Sequence, residues 1–391
     1  MGRPLGVTSL SVRSSHRLLA VMTVESRSTG TTASPTRPRD GFLDLVRSAS
    51  ILRVVVIHLL GAPGFWFWPA PTFVAPGMPV VFFVSGALVR QTLRTVDGKR
   101  RSVLGYWRKT FRRLLLPYSV YYAVVLSICV VGDMTRSDPR WTVRPDRALL
   151  AATGFVIPNA SRAMRHYTGH LWFMSAFLVL TLLAPLLVRV FERLGALVLA
   201  LPFAGFAWAE WRTAGGNQPP QEIYKLATFA VPYVAGFWYT EPRFQRLPRW
   251  VFLMAAVVFG VAAWWYDGVR PGAVNASGIK HLLVGGGWFC VALAGAPALR
   301  HVAERYSDGI NRISRRTFTI FLWGWTTSVF AWELASDLVE EYWGRLALFL
   351  VLSLGLLAIA VAAFGRFEDI AAGRPRSAAT SESQRHRTSA G

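Results

Sequence analysis

The sequence predicts an all-α, polytopic integral membrane protein with about ten transmembrane helices. Three observations carry that prediction. Of 391 residues, 53% are hydrophobic and only 16% are charged, where an ordinary soluble domain carries about 25% charge. Apolar windows long enough to cross ~30 Å of hydrocarbon recur along the chain. The formal charge of +22 falls in clusters between those windows rather than on one soluble face. That distribution argues against the nucleic-acid partner a strongly basic chain otherwise suggests.

Taken in order, residues 1–40 read as a disordered cytoplasmic tail rich in Ser, Thr and Arg, with no sustained apolar period. Its short run Leu18–Val24 lacks the length and the small-residue cleavage site of a signal peptide, and Met22 is a possible alternative start to Met1. Apolar windows follow at about 43–61, 74–90, 114–131, 170–188, 194–209, 223–240, 249–266, 280–297, 316–334 and 344–365. In lipid each must be helical, because unpaired backbone groups find no water there. Tryptophan pairs (Trp66 with Trp68, Trp208 with Trp211, Trp264 with Trp265) sit near window ends, where amphipathic rings prefer the interface. The span-bearing domain is read as 41–368, followed by a disordered cytoplasmic tail over 369–391.

Basic residues set the orientation. With the N-terminal tail cytoplasmic, the inner segments hold 30 Lys and Arg and the outer loops hold 10. Positive charge stays inside, so both termini are expected in the cytoplasm and the chain in the cell membrane. Cys129 and Cys290 are the only cysteines. They are too few for a disulfide framework or a cysteine zinc site, and both lie in apolar runs. No metal spacing, P-loop or dinucleotide fingerprint is present.

The first window is costly. It contains Asp44, Arg47, Arg53 and His58, and an ionisable group in a membrane span is a functional candidate by default. At 100° per residue, the eleven-residue step from Arg47 to His58 returns to within 20° of the same face, roughly 16 Å along the axis. Asp44 lies within 60° of Arg47 one turn earlier and can hold its guanidinium. Arg53 lies about 120° off this face, toward another partner. On spacing alone a blander reading stays open: Arg47 snorkels to the cytoplasmic surface and His58 bonds a neighbouring carbonyl.

Arg47, ten residues, then His58 resembles the first-span signature of the acyltransferase 3 family of membrane O-acyltransferases. Four more stretches resemble it in the family's order. They are Gly77-Met-Pro-Val-Val-Phe-Phe-Val-Ser-Gly86, the basic segment Tyr106–Tyr118 leading into the third span, Gly169-His-Leu-Trp-Phe173, and Ile313-Ser-Arg-Arg-Thr-Phe-Thr-Ile-Phe-Leu-Trp323. The resemblance covers about 41–368. It departs at Gly324, where the late motif often continues with His, and at Pro79, where the second-span motif often carries Asp. No role is transferred to either position.

The resemblance implies an enzyme moving an acyl group, with acetyl the expected one, from acyl-CoA to a hydroxyl. Acetyl-CoA is then a co-substrate, with no permanently bound cofactor. The implied acceptor is a glycan, a glycolipid or a glycosylated metabolite. Such a transfer needs a base, a positioned thioester and an oxyanion stabiliser. His58 is the candidate base, and Arg47 the group that orients the donor. Arg108, Lys109, Arg112 and Arg113 could receive donor phosphates, though plain positive-inside charge explains them equally. His170 and Trp172 are candidates for the acceptor or acyl group, and His166 reads as a loop residue. Phe83, Ser85 and Gly86 are expected around the reaction channel, with Ser85 bonded to its own helix backbone. The absence of any Gly-x-Ser-x-Gly elbow argues against a serine nucleophile. The rival reading is a transporter or channel with Arg47 and His58 lining a substrate or proton path.

Overall fold

Within the described residues, helices form where the apolar windows fall. The structure, a computed structural model, describes residues 40–60, 77–94, 102–269 and 277–373. Asp40 starts the first helix: its Oδ1 accepts the N–H of Phe42 at 3.2 Å and of Leu43 at 3.4 Å, an N-cap. Tyr239 donates its hydroxyl to the other carboxylate oxygen at 2.9 Å. From that cap run α1 (Gly41–Leu60), α2 (Gly77–Leu93) and α3 (Val103–Thr135). The segment 132–169, expected on the outer side, is not a plain loop. It contains α4 (Pro145–Ala152), α5 (Arg162–Thr168) and a 3₁₀ turn over Gly169–Leu171. Tyr118 and Tyr122 of α3 tie it down by donating to the carbonyls of Ala151 at 2.6 Å and Ala148 at 2.8 Å.

Then follow α6 (Trp172–Leu194), a 3₁₀ turn, α7 (Ala200–Ala214), α8 (Gln221–Ala235), another 3₁₀ turn over Gly236–Thr240, and α9 (Pro242–Gln245). The chain continues with α10 (Arg249–Val269), α11 (Gly278–Ala294), α12 (Ala296–Arg305), α13 (Ser307–Leu338) and α14 (Tyr342–Ala372). Among the described residues there is no strand.

Within the described residues, each of the ten apolar windows lies largely on helix. Among the described residues, however, length and apolarity alone qualify four continuous runs as membrane-crossing: α3, Arg162–Ala214, α10 and α14. The pair α11 and α12, bent by 72°, makes a fifth. The remaining helices fall short for physical reasons. α1 carries Asp44, Arg47 and Arg53, and α2 and α8 hold 17 and 15 residues. α3 is also longer than its window, because the basic stretch Arg108–Arg113 is helix rather than connector.

α1 packs between α2 and α13, α13 pairs with α14, and α2 lies on α8. The α2–α8 contact is a backbone approach: a Cβ on Gly86 would strike the carbonyl of Tyr233, and one on Gly236 that of Phe83. Beside it Arg90, 5% exposed, donates to Phe237 O and Thr240 Oγ1, both at 2.6 Å, and pairs with Glu241. α10 stands at the rim with Ala263 its one buried residue. Trp208, Trp211, Trp264 and Trp265 are exposed near helix ends, as interfacial rings are. Cys129 is buried, Cys290 is half-buried and both are free. The expectations for residues 1–39, Trp66, Trp68 and 374–391 lie outside the described residues.

Candidate active site

The polar face of α1 joins two sites. Toward the helix start, half-buried Arg47 donates Nη2 to Asp44 Oδ1 at 3.2 Å, one turn back, and to Ser314 Oγ of α13 at 2.7 Å. Asp44 is 5% exposed, so this ion pair is held inside the bundle. Arg47 then faces a cavity of about 520 Å³, whose wall includes Ser85, Tyr106, Lys109, Arg113 and Glu368. That volume falls within the usual range for small-molecule sites. Ser85 donates to Val81 O at 2.7 Å, so its hydroxyl hydrogen is used within its own helix. Glu368 accepts from Thr319 Oγ1 at 2.8 Å and from its backbone N–H at 3.3 Å.

Phe173 and Phe321 also line this cavity, their ring centroids 4.5 Å apart and edge to face. Behind Phe321, at 5.3 Å, stands His170, and 5.9 Å from that ring stands His58. Half-buried His58 also packs edge-on against Trp325 at 5.0 Å. His170 is 3% exposed, and its Nε2 meets the carbonyl of Leu322 at 3.1 Å. A carbonyl only accepts, so Nε2 carries the hydrogen and the neutral ring's lone pair lies on Nδ1. Nδ1 has no hydrogen-bond partner among the described residues. Trp325 is fixed in turn by donating Nε1 to His166 O at 2.8 Å.

Gly324 packs where its Cβ would meet Val55 of α1 at 3.1 Å. Any side chain there would press on α1, and His170 stands beside His58 from a different segment. Pro79 lies buried in the first turn of α2, where a missing N–H costs nothing.

Arg47, Ser85, Lys109 and Arg113 thus share one cavity, with Asp44 behind Arg47. His58 and His170 stand beyond Phe321 and outside the cavity lining, and Phe83, Arg112 and Trp172 lie elsewhere. Phe83 turns away and packs on Phe289 of α11, centroids 3.9 Å apart. Arg112 donates Nε to Ala371 O at 2.9 Å, at the end of α14. Trp172 stacks on Phe229 of α8 at 5.3 Å. Sequence reading assigned nothing to Ser314, Phe321, Trp325 or Glu368. Ser314 and Phe321 stand within the late motif, which was the available signal.

Helices of membrane length around inward-facing charges and an interior cavity define an integral membrane protein with a buried site. The model of the acyltransferase 3 family, described as an acyltransferase domain, matches residues 40–365. The chain belongs to that family and is a membrane O-acyltransferase, which sets the transport reading aside. A comparison with curated proteins found no match, and one with solved structures found none.

Proposed function

We propose that this enzyme moves an acyl group, acetyl in the first instance, from acyl-CoA to a hydroxyl of a glycan, glycolipid or glycosylated metabolite. The observation that carries the reading is the juxtaposition on α1. A cavity walled by Arg47, Lys109 and Arg113 ends at Phe173 and Phe321, and the His58–His170 pair lies just beyond. Guanidinium and ammonium groups recognise phosphate oxygens by charge-assisted hydrogen bonds. The donor's phosphates sit at the cationic wall and its thioester arm reaches toward His58.

The chemistry then balances simply. The acceptor hydroxyl loses its proton to His58 as its oxygen attacks the thioester carbonyl. The new C–O bond forms, the C–S bond breaks, and the proton passes from His58 to the departing sulfur. Free CoA and an O-acyl ester leave. Arg47 acts as the positioning cation for the donor.

This reading includes ten spans, a domain over 41–368, cytoplasmic tails over 1–40 and 369–391, and insertion in the cell membrane with both termini inside. What supports the count is that a helix enclosed by other helices tolerates charges and short apolar length that lipid would not. The experiment is a thermal-unfolding series on purified protein with acetyl-CoA. A ligand at 100 times its Kd stabilises the native state by about 2.7 kcal/mol, so a clear upward shift is expected. Replacing Lys109 and Arg113 together by Ala should remove it. A full shift in that double variant would overturn the donor site.

A further inference from the structure

The donor cavity is graded along its length. Its polar end is set by Arg47 of α1 and Ser314 of α13, joined at 2.7 Å, with Lys109 of α3 in the same wall. Phe321 follows Ser314 by seven residues, two turns and about 10.5 Å of helix rise. There the lining is aromatic: Phe321, Phe173 in the first turn of α6, and Phe177 one turn further along it. His58 and His170 are not part of that lining. Phe321 belongs to both places, since it lines the cavity and packs on His170 with 5.3 Å between ring centroids. His58 lies 5.9 Å beyond His170. A single benzyl ring therefore stands between the donor cavity and the histidine pair.

The neighbours of that ring are themselves fixed. Phe321 and Phe173 are both buried, their rings edge to face at 4.5 Å. His170 is tied back by its Nε2, which meets the carbonyl of Leu322, the residue after Phe321, at 3.1 Å. The fully buried ring of Tyr121 stands edge-on to His170 at 6.2 Å, and its hydroxyl shares a 2.6 Å hydrogen bond with Thr326. Phe177 packs at 5.6 Å on Phe82, which stacks on Phe229 at 4.7 Å, both fully buried. An interior packed this closely yields the volume of an extra methylene only through strained rotamers or backbone shifts. The cationic end suits phosphate oxygens, and the aromatic end suits a short hydrocarbon.

We propose that Phe321 is the specificity-determining residue for the donor: the acyl group packs against its ring, and the space the ring fills sets the longest acyl chain the enzyme accepts. The assignment rests on the reading of this cavity as the donor site. A two-carbon acyl group fits beside the ring with its carbonyl toward His58, whereas each further methylene needs volume that the ring holds. In a hydrophobic pocket one methylene too many costs roughly tenfold or more in discrimination. A smaller side chain at 321 supplies that volume at the same place, so longer chains should be accepted better as the side chain shrinks.

The test is calorimetric measurement of Kd on the full-length protein for CoA, acetyl-CoA and butyryl-CoA, in wild type, Phe321→Leu and Phe321→Ala. In wild type, butyryl-CoA is expected to bind at least about tenfold more weakly than acetyl-CoA. That ratio should shrink in Phe321→Leu and vanish or reverse in Phe321→Ala, where the longer chain fills the new space. CoA carries no acyl group, so its Kd should be the same in all three proteins. A wild type that binds both thioesters equally overturns the proposal and leaves the donor site standing. So does an unchanged ratio in the variants, including an equal loss of affinity for both thioesters, which marks a purely structural role. If Phe321→Ala no longer binds CoA, Phe321→Leu decides: a reduced ratio upholds the proposal and an unchanged one overturns it. Failure of the wild type to bind CoA at all overturns the donor reading, and this proposal with it.

Discussion

The two ends of the α1 polar face are built on opposite principles. At one end Arg47 is gripped by Asp44 at 3.2 Å and Ser314 at 2.7 Å. At the other, His58 is enclosed by ring faces, Trp325 at 5.0 Å and His170 at 5.9 Å. Among the described residues no hydrogen bond reaches its imidazole. A positioning cation works best when it is immobile. A base must keep a lone pair free for substrate, because a nitrogen bonded to protein cannot take a proton from a hydroxyl. His170 falls between the two cases, pinned at Nε2 and open at Nδ1.

That contrast breaks most easily at His58. Replacing it with Ala should lower kcat by about 10²–10⁴-fold, the usual contribution of a general base, while acetyl-CoA still stabilises the protein. Loss of the acetyl-CoA shift as well would mean that the two ends do not have separate tasks. Mass spectrometry of surface glycans and lipids from cells expressing this variant should show one acylated species missing. The next largest effect belongs to Arg47→Ala. Hydrogen bonds to charged groups are worth about 1.5–3 kcal/mol, so the KM for acetyl-CoA should rise roughly ten- to hundredfold. Asp44 would also lose its cation in a buried setting, a change costing about 3–5 kcal/mol, so Tm should fall too. Arg47→Lys should recover part of both, since one ammonium keeps the charge without the planar fork. An unchanged KM in Arg47→Ala would leave Arg47 with a structural role only.

Much of this was legible from residue order. The step of eleven residues placed Arg47 and His58 on one face, and the i,i+3 step placed Asp44 beneath Arg47. The motifs named segments that border the cavity but not which face of each segment does so. Ser85 lines the cavity whereas Phe83, two residues earlier and so 200° around the helix, packs on Phe289. His170 and Trp172 diverge in the same way, one toward His58 and the other toward Phe229. Treating each motif as a unit hid that phase. Ser314 was out of reach for a different reason: its partner Arg47 lies 267 residues away, and no local pattern encodes a contact between distant helices. The span count suffers likewise, because hydropathy measures what faces lipid and α1 faces protein.

The smallest expected effect separates neighbours that read alike in sequence. Lys109 and Arg113 are four residues apart, 40° around α3, and both line the cavity. Arg112 is 100° from Arg113, and its Nε donates to Ala371 O at 2.9 Å, where the end of α14 leaves carbonyls without helical partners. Arg113→Ala should therefore raise the KM for acetyl-CoA several-fold with kcat nearly unchanged, since it removes binding shared by ground and transition states. Arg112→Ala should leave KM as it is and cost about 1 kcal/mol of stability, the net worth of one hydrogen bond. Steady-state kinetics and thermal unfolding on the two variants decide the matter. Equal KM values would show that the basic stretch acts through bulk charge at the membrane surface. The reverse pattern would place the donor on the α14 side of α3.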